Sequence, residues 1–226
     1  MTTRWIATGE NRAILMDGAK MVNAGRDSNI RRETYKCAPI GSDPPDPLPS
    51  PVLNVAQGGL PGFKQENPPD FIGGWTRLRV AGFTRGNPDW DGVICISGEN
   101  LTHWLHISAD EVVSSMSFLT LRLRILLEGS DNPNLDAISE TLSRPERLAS
   151  HLRIAQTNQN HRAITGHLMG AELAAARAYW LGRQVAVLGD GGYSAALAAQ
   201  GVPFTSHDPE LCEARGLAAL AELLGY

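Results

Sequence analysis

The chain has little cysteine: three residues in 226, Cys37, Cys95 and Cys212, far apart and without a CxxC spacing. That excludes a disulfide framework and a cysteine zinc site, and leaves a reducing cytoplasm as the expected compartment. No apolar run approaches the ~20 residues needed to cross a bilayer. The opening stretch MTTRWIATGEN has neither a basic region nor an apolar core, so no signal peptide is expected. A basic surface is lacking as well. The net charge is −4 with a pI near 5.9, and the Arg31-Arg32 pair is too short to form a patch. Neither nucleic acid nor an anionic membrane is therefore an expected partner. Histidines with ligand spacing are also lacking. His103 and His106 sit three apart on an expected strand and face opposite sides. His161, His167 and His207 show no ligand spacing, so no metal site is expected.

What is present describes a globular protein, with 42% hydrophobic and 19% charged residues. Residues 4 to 23 predict a hairpin. It turns at Thr8-Gly9-Glu10-Asn11 and again at Asp17-Gly18, a strong tight-turn pair between apolar runs. Between Pro39 and Pro51 stand six prolines in thirteen residues. Such density opposes both helix and central strand, and predicts an extended linker over 38–51. A helix or strand is expected over Thr76 to Phe83. From Asp91 onward the pattern sharpens. DGVICIS, LTHWLHIS and VVSSMSF predict three meander strands, and helices follow at roughly 119–128, 135–150 and 162–181. QVAVLG, AALAAQG and VPFTS then predict strand, helix and strand before a closing helix. The sum is an α/β layered domain.

The run Gly189-Asp190-Gly191-Gly192-Tyr193-Ser194 stands between an apolar strand and a helix start. Glycines there present backbone N–H groups to an anion, which makes the run a candidate nucleotide seat. A plain strand-to-helix turn, with Ser194 capping backbone donors, explains the same residues. The alanines at 171, 174, 175 and 176 suit close packing of a helix on a sheet. Glu172 on that helix reads as an exposed or hydrogen-bonded structural acid, or as one facing a cleft. Trp75, Trp90 and Trp104 read as packing residues, because no basic stripe accompanies them.

Several segments carry a resemblance. Leu60-Pro61-Gly62-Phe63-Lys64-Gln65, Val80-Ala81-Gly82-Phe83, Asp91-Gly92-Val93-Ile94-Cys95-Ile96 and Trp104-Leu105-His106-Ile107-Ser108 occur in order. Glu111-Val112-Val113-Ser114 and Phe118-Leu119-Thr120 follow, and above all Gly170 to Gly182 (GAELAAARAYWLG). In these the chain resembles the 2-dehydro-3-deoxygalactonokinase family, sugar-acid kinases of the actin-like, sugar-kinase and Hsp70 ATPase superfamily. The likeness covers about residues 60 to 226, with a weaker echo at 4 to 18.

The resemblance implies an actin-like (ribonuclease H-like) two-lobe fold, here with a reduced N-terminal lobe over 1–89 and a C-terminal nucleotide-binding lobe over 90–226. It implies ATP and Mg²⁺ as cofactors and a sugar acid as substrate, phosphorylated on a terminal hydroxyl in galactonate breakdown. A homodimer is compatible with it. By the same resemblance Gly9, Gly98 and Asn100 fall in two phosphate loops, and Gly189, Gly191, Gly192 and Ser194 in the adenosine turn.

Those phosphate loops depart from the family pattern. An Asp-Trp-Gly-Thr-Thr-Asn loop in the family is replaced by the shorter Thr8-Gly9-Glu10-Asn11. A Pro-Gly-Thr-His loop is replaced by Ser97-Gly98-Glu99-Asn100. An Arg-Gly-Glu-Glu run falls at Gly73-Gly74-Trp75-Thr76, and a Thr-Gly-Glu-Leu run at Thr120-Leu121-Arg122-Leu123. Carboxylates that would anchor Mg²⁺ and deprotonate an alcohol are thus replaced. Glu10 and Glu99 are the acids left in the two loops and the candidate catalytic residues; solvated turn residues are the alternative. A carboxylate ~4 Å from a phosphate costs roughly 4 kcal/mol at an effective dielectric near 20. Two functions are therefore expected in competition: the sugar-acid kinase, and a non-catalytic descendant that senses a ligand or binds a partner.

Overall fold

The computed structural model describes residues 3–26, 35–56 and 58–226. The Arg31-Arg32 pair lies outside them. The chain forms two compact units: residues up to 90 with 107–114 and 208–226, and residues 91–106 with 115–207.

The first unit opens with a meander of β1 (Arg4–Gly9), β2 (Arg12–Asp17) and β3 (Lys20–Arg26). The first turn is the two-residue type expected for a tight hairpin. Gly9 pairs with Arg12, and Glu10 and Asn11 take φ of 51° and 63°. Gly18, with φ 56°, makes the second turn, and its carbonyl accepts from Trp5 Nε1 at 2.8 Å.

The proline-rich segment corrects the sequence reading. It is no linker but strand β4 (Lys36–Pro47), paired in parallel with β1 on one side and with β6 (Leu60–Gln65) on the other. Between them β5 (Ser50–Pro51) leaves this sheet to pair with the tip of a later hairpin, and β7 (Asp70–Ile72) closes the edge. The order is β3-β2-β1-β4-β6-β7. Prolines cannot donate to a ladder, and this strand accommodates them with two irregularities, between Ile40 and Ser42 and between Ser42 and Asp46. Burial of Ala38 and Ile40 repays the rest.

Helix α1 (Gly74–Gly86) lies on that sheet. Its buried Arg77 explains how so irregular a strand is held. Its guanidinium donates to Asp46 Oδ2 at 2.7 Å and to the carbonyls of Pro51, Val52 and Pro61 at 2.8, 2.9 and 3.2 Å, and it stacks on Phe63 at 4.1 Å. One planar fork satisfies acceptors from three segments that a ladder leaves open.

The second unit begins with β8 (Gly92–Ser97), β9 (Thr102–Ser108) and β10 (Glu111–Phe118); the β9–β10 hairpin tip is counted with the first unit. Helices α2 (Thr120–Leu126) and α3 (Leu135–Ser143) follow, then a 3-10 turn at Pro145–Arg147 and α4 (Leu148–Thr157). The expected single helix over 135–150 is thus divided, because Pro145 cannot continue α3. Next come α5 (His161–Ala175), the short α6 (Arg177–Trp180), β11 (Val185–Leu188), α7 (Tyr193–Ala199) and β12 (Phe204–His207). Strands β8, β11 and β12 are parallel neighbours. The core gathers Val93, Cys95, Trp104, Leu173, Trp180 and Val187 between sheet and helices. Close packing of α5 rests on glycine more than on the alanine set: a Cβ at Gly170 would lie 2.4 Å from the Ile138 carbonyl oxygen of α3.

The closing helix α8 (Pro209–Leu224) returns to the first unit, so the units are not the continuous halves expected from the sequence. Glu213 is the reason. Buried at 3% exposure, it takes Arg12 through both carboxylate oxygens, at 2.5 and 2.9 Å, and Arg79 at 3.1 Å. Helices α1 and α8 cross at glycine. A Cβ on Gly82 would stand 1.6 Å from the Cys212 carbonyl oxygen, and one on Gly216 2.1 Å from that of Leu78. Gly82→Ala is accordingly expected to force the helices apart and cost about 1–3 kcal/mol, read as a lowered urea midpoint with unchanged slope.

Among the described residues no helix is long and apolar enough to cross a membrane.

Candidate nucleotide site

Strands β8 and β11 run side by side, Ile96 opposite Leu188, and both end at the same edge of the sheet. The loops that leave them, Ser97–Asn100 and Gly189–Gly192, therefore emerge together. The carboxyl ends of parallel strands are where open α/β sheets seat ligands. The two loops touch: a Cβ on Gly191 would lie 2.7 Å from Ser97 Oγ. Gly189, Gly191 and Gly192 take φ of 73°, 51° and 94°, a conformation that favours glycine. Gly192 also abuts Pro133, whose Cδ would be 2.7 Å from an added Cβ. Both its φ and its neighbour thus require glycine.

Beside this turn opens a cavity of about 420 Å³, bordered by Asp131, Asn132, Pro133, Arg162, Asp190 and Gly192. Its walls come from the loop before α3, the first turn of α5 and the glycine turn. Gly192 is marked in the sequence, whereas Asp131, Asn132 and Arg162 are not, standing well upstream in an unpatterned loop and a helix start. Asp190 belonged to the run singled out, though not to the site residues. Its Oδ1 accepts from the Ser194 backbone N–H at 2.9 Å and so fixes the turn. Ser194 Oγ is engaged with Ser206 Oγ at 3.1 Å, making it a residue of the turn's framework. Asp131 pairs with Arg124, and Arg162 Nε donates to the Asn132 carbonyl at 3.2 Å.

The turn is anchored from below. Tyr193, next to Gly192, is fully buried; its hydroxyl donates to Glu172 Oε2 at 2.8 Å and lies 2.7 Å from Thr102 Oγ1. Trp104 Nε1 donates to Glu172 Oε1 at 2.8 Å. Glu172 is thus a buried structural acid under the turn. Burial raises its pKa above the ordinary carboxylate value, and hydrogen bonds from Thr120, Trp104, Tyr193 and Thr102 oppose that rise. The same burial raises the Cys95 thiol well above its usual range, with Glu172 and Asp190 adding to it.

Gly98 and Asn100 lie in the β8–β9 turn. Gly98 N–H donates to the Leu101 carbonyl at 3.0 Å, and the Asn100 carbonyl accepts from Arg122 N–H at 3.1 Å. Glu99 is exposed at the tip. Gly9 and Glu10 belong to the first unit. Gly9 is packed on β4, where an added Cβ would lie 2.0 Å from the Ile40 carbonyl oxygen, and its own carbonyl accepts from Trp75 Nε1 at 3.1 Å. The exposed Glu10 places its Oε1 3.0 Å from where a Cβ on Gly73, just before α1, would stand. Trp75 and Trp104 are packing residues, as expected.

Residues 139–220 match the 2-keto-3-deoxy-galactonokinase family model. The family resemblance read from the sequence is borne out there. A crystal structure of a candidate 2-dehydro-3-deoxygalactonokinase from Sinorhizobium meliloti superposes with a TM-score of 0.80 at 17% identity, covering 98% of each chain. The activator of the 2-hydroxyisocaproyl-CoA dehydratase from Clostridium difficile, solved with bound ADPNP, superposes at 0.50 with 13% identity, over 100% of this chain and 96% of that one. No curated protein matches the sequence. The fold is mixed α/β of the actin-like ATPase type.

Proposed function

We propose that this sugar-acid kinase-like chain binds a purine nucleoside triphosphate at the joined ends of β8 and β11, and that its capacity for phosphoryl transfer is lost. One observation carries the reading. The glycine turn and the loop after β8 are built together beside an open polar cavity, whereas the two acids of its wall, Asp131 and Asp190, are already engaged. Asp190 caps Ser194, Asp131 pairs with Arg124, and Glu99 stands exposed at a turn tip.

The residues present fit the nucleoside. The cavity lies in the ~300–1,000 Å³ range of small-molecule sites, its glycines allow close backbone approach, and Arg162 supplies a cation at the wall. They fit Mg²⁺ poorly, since octahedral coordination needs carboxylates free to turn to the metal and to bound phosphates. A nucleotide bound here would be held by Gly189, Gly191 and Gly192, with Gly98 and Asn100 flanking it. Gly9 and Glu10 belong to the first phosphate loop by family likeness alone. The family reaction, ATP-dependent phosphorylation of 2-dehydro-3-deoxy-D-galactonate, is the activity from which the chain descends. A ligand-sensing or partner-binding role in the cytoplasm is what remains. The second reading is a working kinase in which Glu10 and Glu99 serve as base and metal ligand, and the superposition over 98% of the Sinorhizobium chain favours it.

Calorimetric titration with ATP·Mg²⁺ is expected to give a saturable isotherm that Gly192→Val abolishes. Coupled assays with the sugar acid are expected to stay at blank. Heats indistinguishable from dilution at millimolar nucleotide would overturn the binding site. Turnover that requires the sugar acid and falls in Glu99→Gln or Glu10→Gln would establish the second reading instead.

A further inference from the structure

Helices α3, α4 and α5 each contribute one side chain to a cluster outside the nucleotide site: Glu140, His151 and His167. One ligand-capable atom from each lies within 4.8 Å of the others, the only such trio of His, Cys, Asp or Glu among the described residues. The two histidines are 5% and 6% exposed, and their rings lie tilted against each other with centroids 4.7 Å apart. Glu140 is exposed, so the cluster opens to solvent on one side only.

Thr141 sits at its centre. Its hydroxyl oxygen lies 2.8 Å from Nδ1 of His151 and 2.8 Å from Nδ1 of His167. The opposite nitrogen of His151, Nε2, faces Glu140 Oε1 at 3.4 Å. A hydroxyl has one proton to give, and a neutral imidazole has one N–H and one lone pair. If Nδ1 of His151 donates to Thr141, its Nε2 lone pair confronts a carboxylate oxygen, acceptor against acceptor. A cation between the two removes the conflict.

We propose that Glu140, His151 and His167 form a divalent transition-metal site that ties α3, α4 and α5 together. Two imidazole nitrogens and one carboxylate oxygen are the donor set of zinc centres that keep a fourth position for water. Cobalt and nickel accept the same donors, whereas magnesium and calcium prefer all-oxygen sites. Closing from within 4.8 Å to the roughly 3.3 Å spacing of a tetrahedral shell takes movements of about 1 Å, shared between the exposed Glu140 and the two rings. Thr141 is the positioning residue, orienting both rings through their second nitrogens.

Neither conserved spacing nor charge marks this site in the sequence. The ligands stand 11 and 16 residues apart on three helices, which is why the expectation of no metal site arose. The site shares no residue with the nucleotide cavity, so the two proposals stand or fall separately.

Tag-free full-length protein is dialysed against excess Zn²⁺ at pH 7.5, then freed of loose metal and analysed for retained zinc. Co²⁺ is titrated in parallel. About one equivalent of zinc is expected to remain, with a visible Co²⁺ spectrum of tetrahedral or five-coordinate type and no thiolate charge-transfer band from the exposed Cys37. His151→Gln is expected to abolish both signals, and Thr141→Val to weaken affinity by about 10–100-fold. Glu140→Gln, at an exposed position, removes a ligand without disturbing the packed rings and guards against a misfolded histidine variant. No retained zinc in the parent chain would overturn the site. So would a Glu140→Gln or Thr141→Val protein that is folded by circular dichroism and binds zinc as the parent does. A histidine signal that titrates by NMR while zinc changes nothing would assign the cluster to a proton instead.

Discussion

Replacing Arg77 with methionine is expected to destabilise the protein by about 3–5 kcal/mol, the range for removing one partner of a buried ion pair. The guanidinium is fully buried, and burial tends to lower its pKa while Asp46 supports the charge. Without it the Asp46 carboxylate and the carbonyls of Pro51, Val52 and Pro61 lose their donor in a region where β4 already departs from regular pairing. Lysine in its place keeps the charge but not the fork, and is expected to recover less than half of the loss. Urea unfolding followed by tryptophan fluorescence reads the effect, since Trp5 and Trp75 lie in the same core. The double replacement Arg77→Met with Asp46→Leu separates charge from packing: removing both partners is expected to be milder than removing Arg77 alone. A midpoint unchanged in Arg77→Met would show that β4 is held by its strand neighbours alone.

Glu172→Ala is the second large effect. Trp104 N–H and Tyr193 O–H would both lose their acceptor in a site closed to water, and the deleted side chain would leave a cavity. The sum is about 3–5 kcal/mol. Because Tyr193 adjoins Gly192, nucleotide affinity is expected to fall with it. Glu172→Gln behaves differently. Its amide oxygen still accepts from Trp104, and the Tyr193 hydroxyl can turn to donate to Thr102 and accept from the new amide. The pH dependence has a definite sign. The folded-state pKa of Glu172 is raised, so between the ordinary glutamate pKa and the raised one the folded state binds more protons than the unfolded state. Stability contributed by this group therefore falls as pH rises through that window and stays low above it. The parent chain is expected to lose stability relative to Glu172→Gln as pH rises from the ordinary glutamate pKa through the raised one, measured as the difference in urea midpoints. A difference that moves the other way would mean the four hydrogen bonds outweigh burial.

Much of the second unit was legible in the sequence because its signals are local. Strands β8, β9 and β10 each carry their apolar pattern in one short run, and glycines at 189, 191 and 192 mark a turn needing positive φ. For Glu172 the sequence favours an exposed or hydrogen-bonded structural acid over one facing a cleft, without naming its partners. Only Trp104 and Tyr193, 68 and 21 residues away, decide for the structural one. The cavity walls at Asp131, Asn132 and Arg162 carry no pattern at all, since a loop that lines a pocket needs no periodicity. The cluster of Glu140, His151 and His167 was hidden because its members stand 11 and 16 residues apart on three helices and meet only when these pack.

The sequence by itself determined the family likeness, the two glycine-bearing loops and the alternation of strands and helices, because backbone preference and hydrophobic period act between near neighbours. Tertiary structure alone decided three things. It made a proline-rich stretch into a central strand, through pairing on both sides and an arginine that satisfies its stray acceptors. It carried the last helix back to the first unit, through a buried glutamate gripped by Arg12 and Arg79. It also set two histidines from different helices on one threonine hydroxyl. Each depends on groups distant along the chain meeting where water is excluded, and there an unpaired charge or lone pair costs more than any local preference returns.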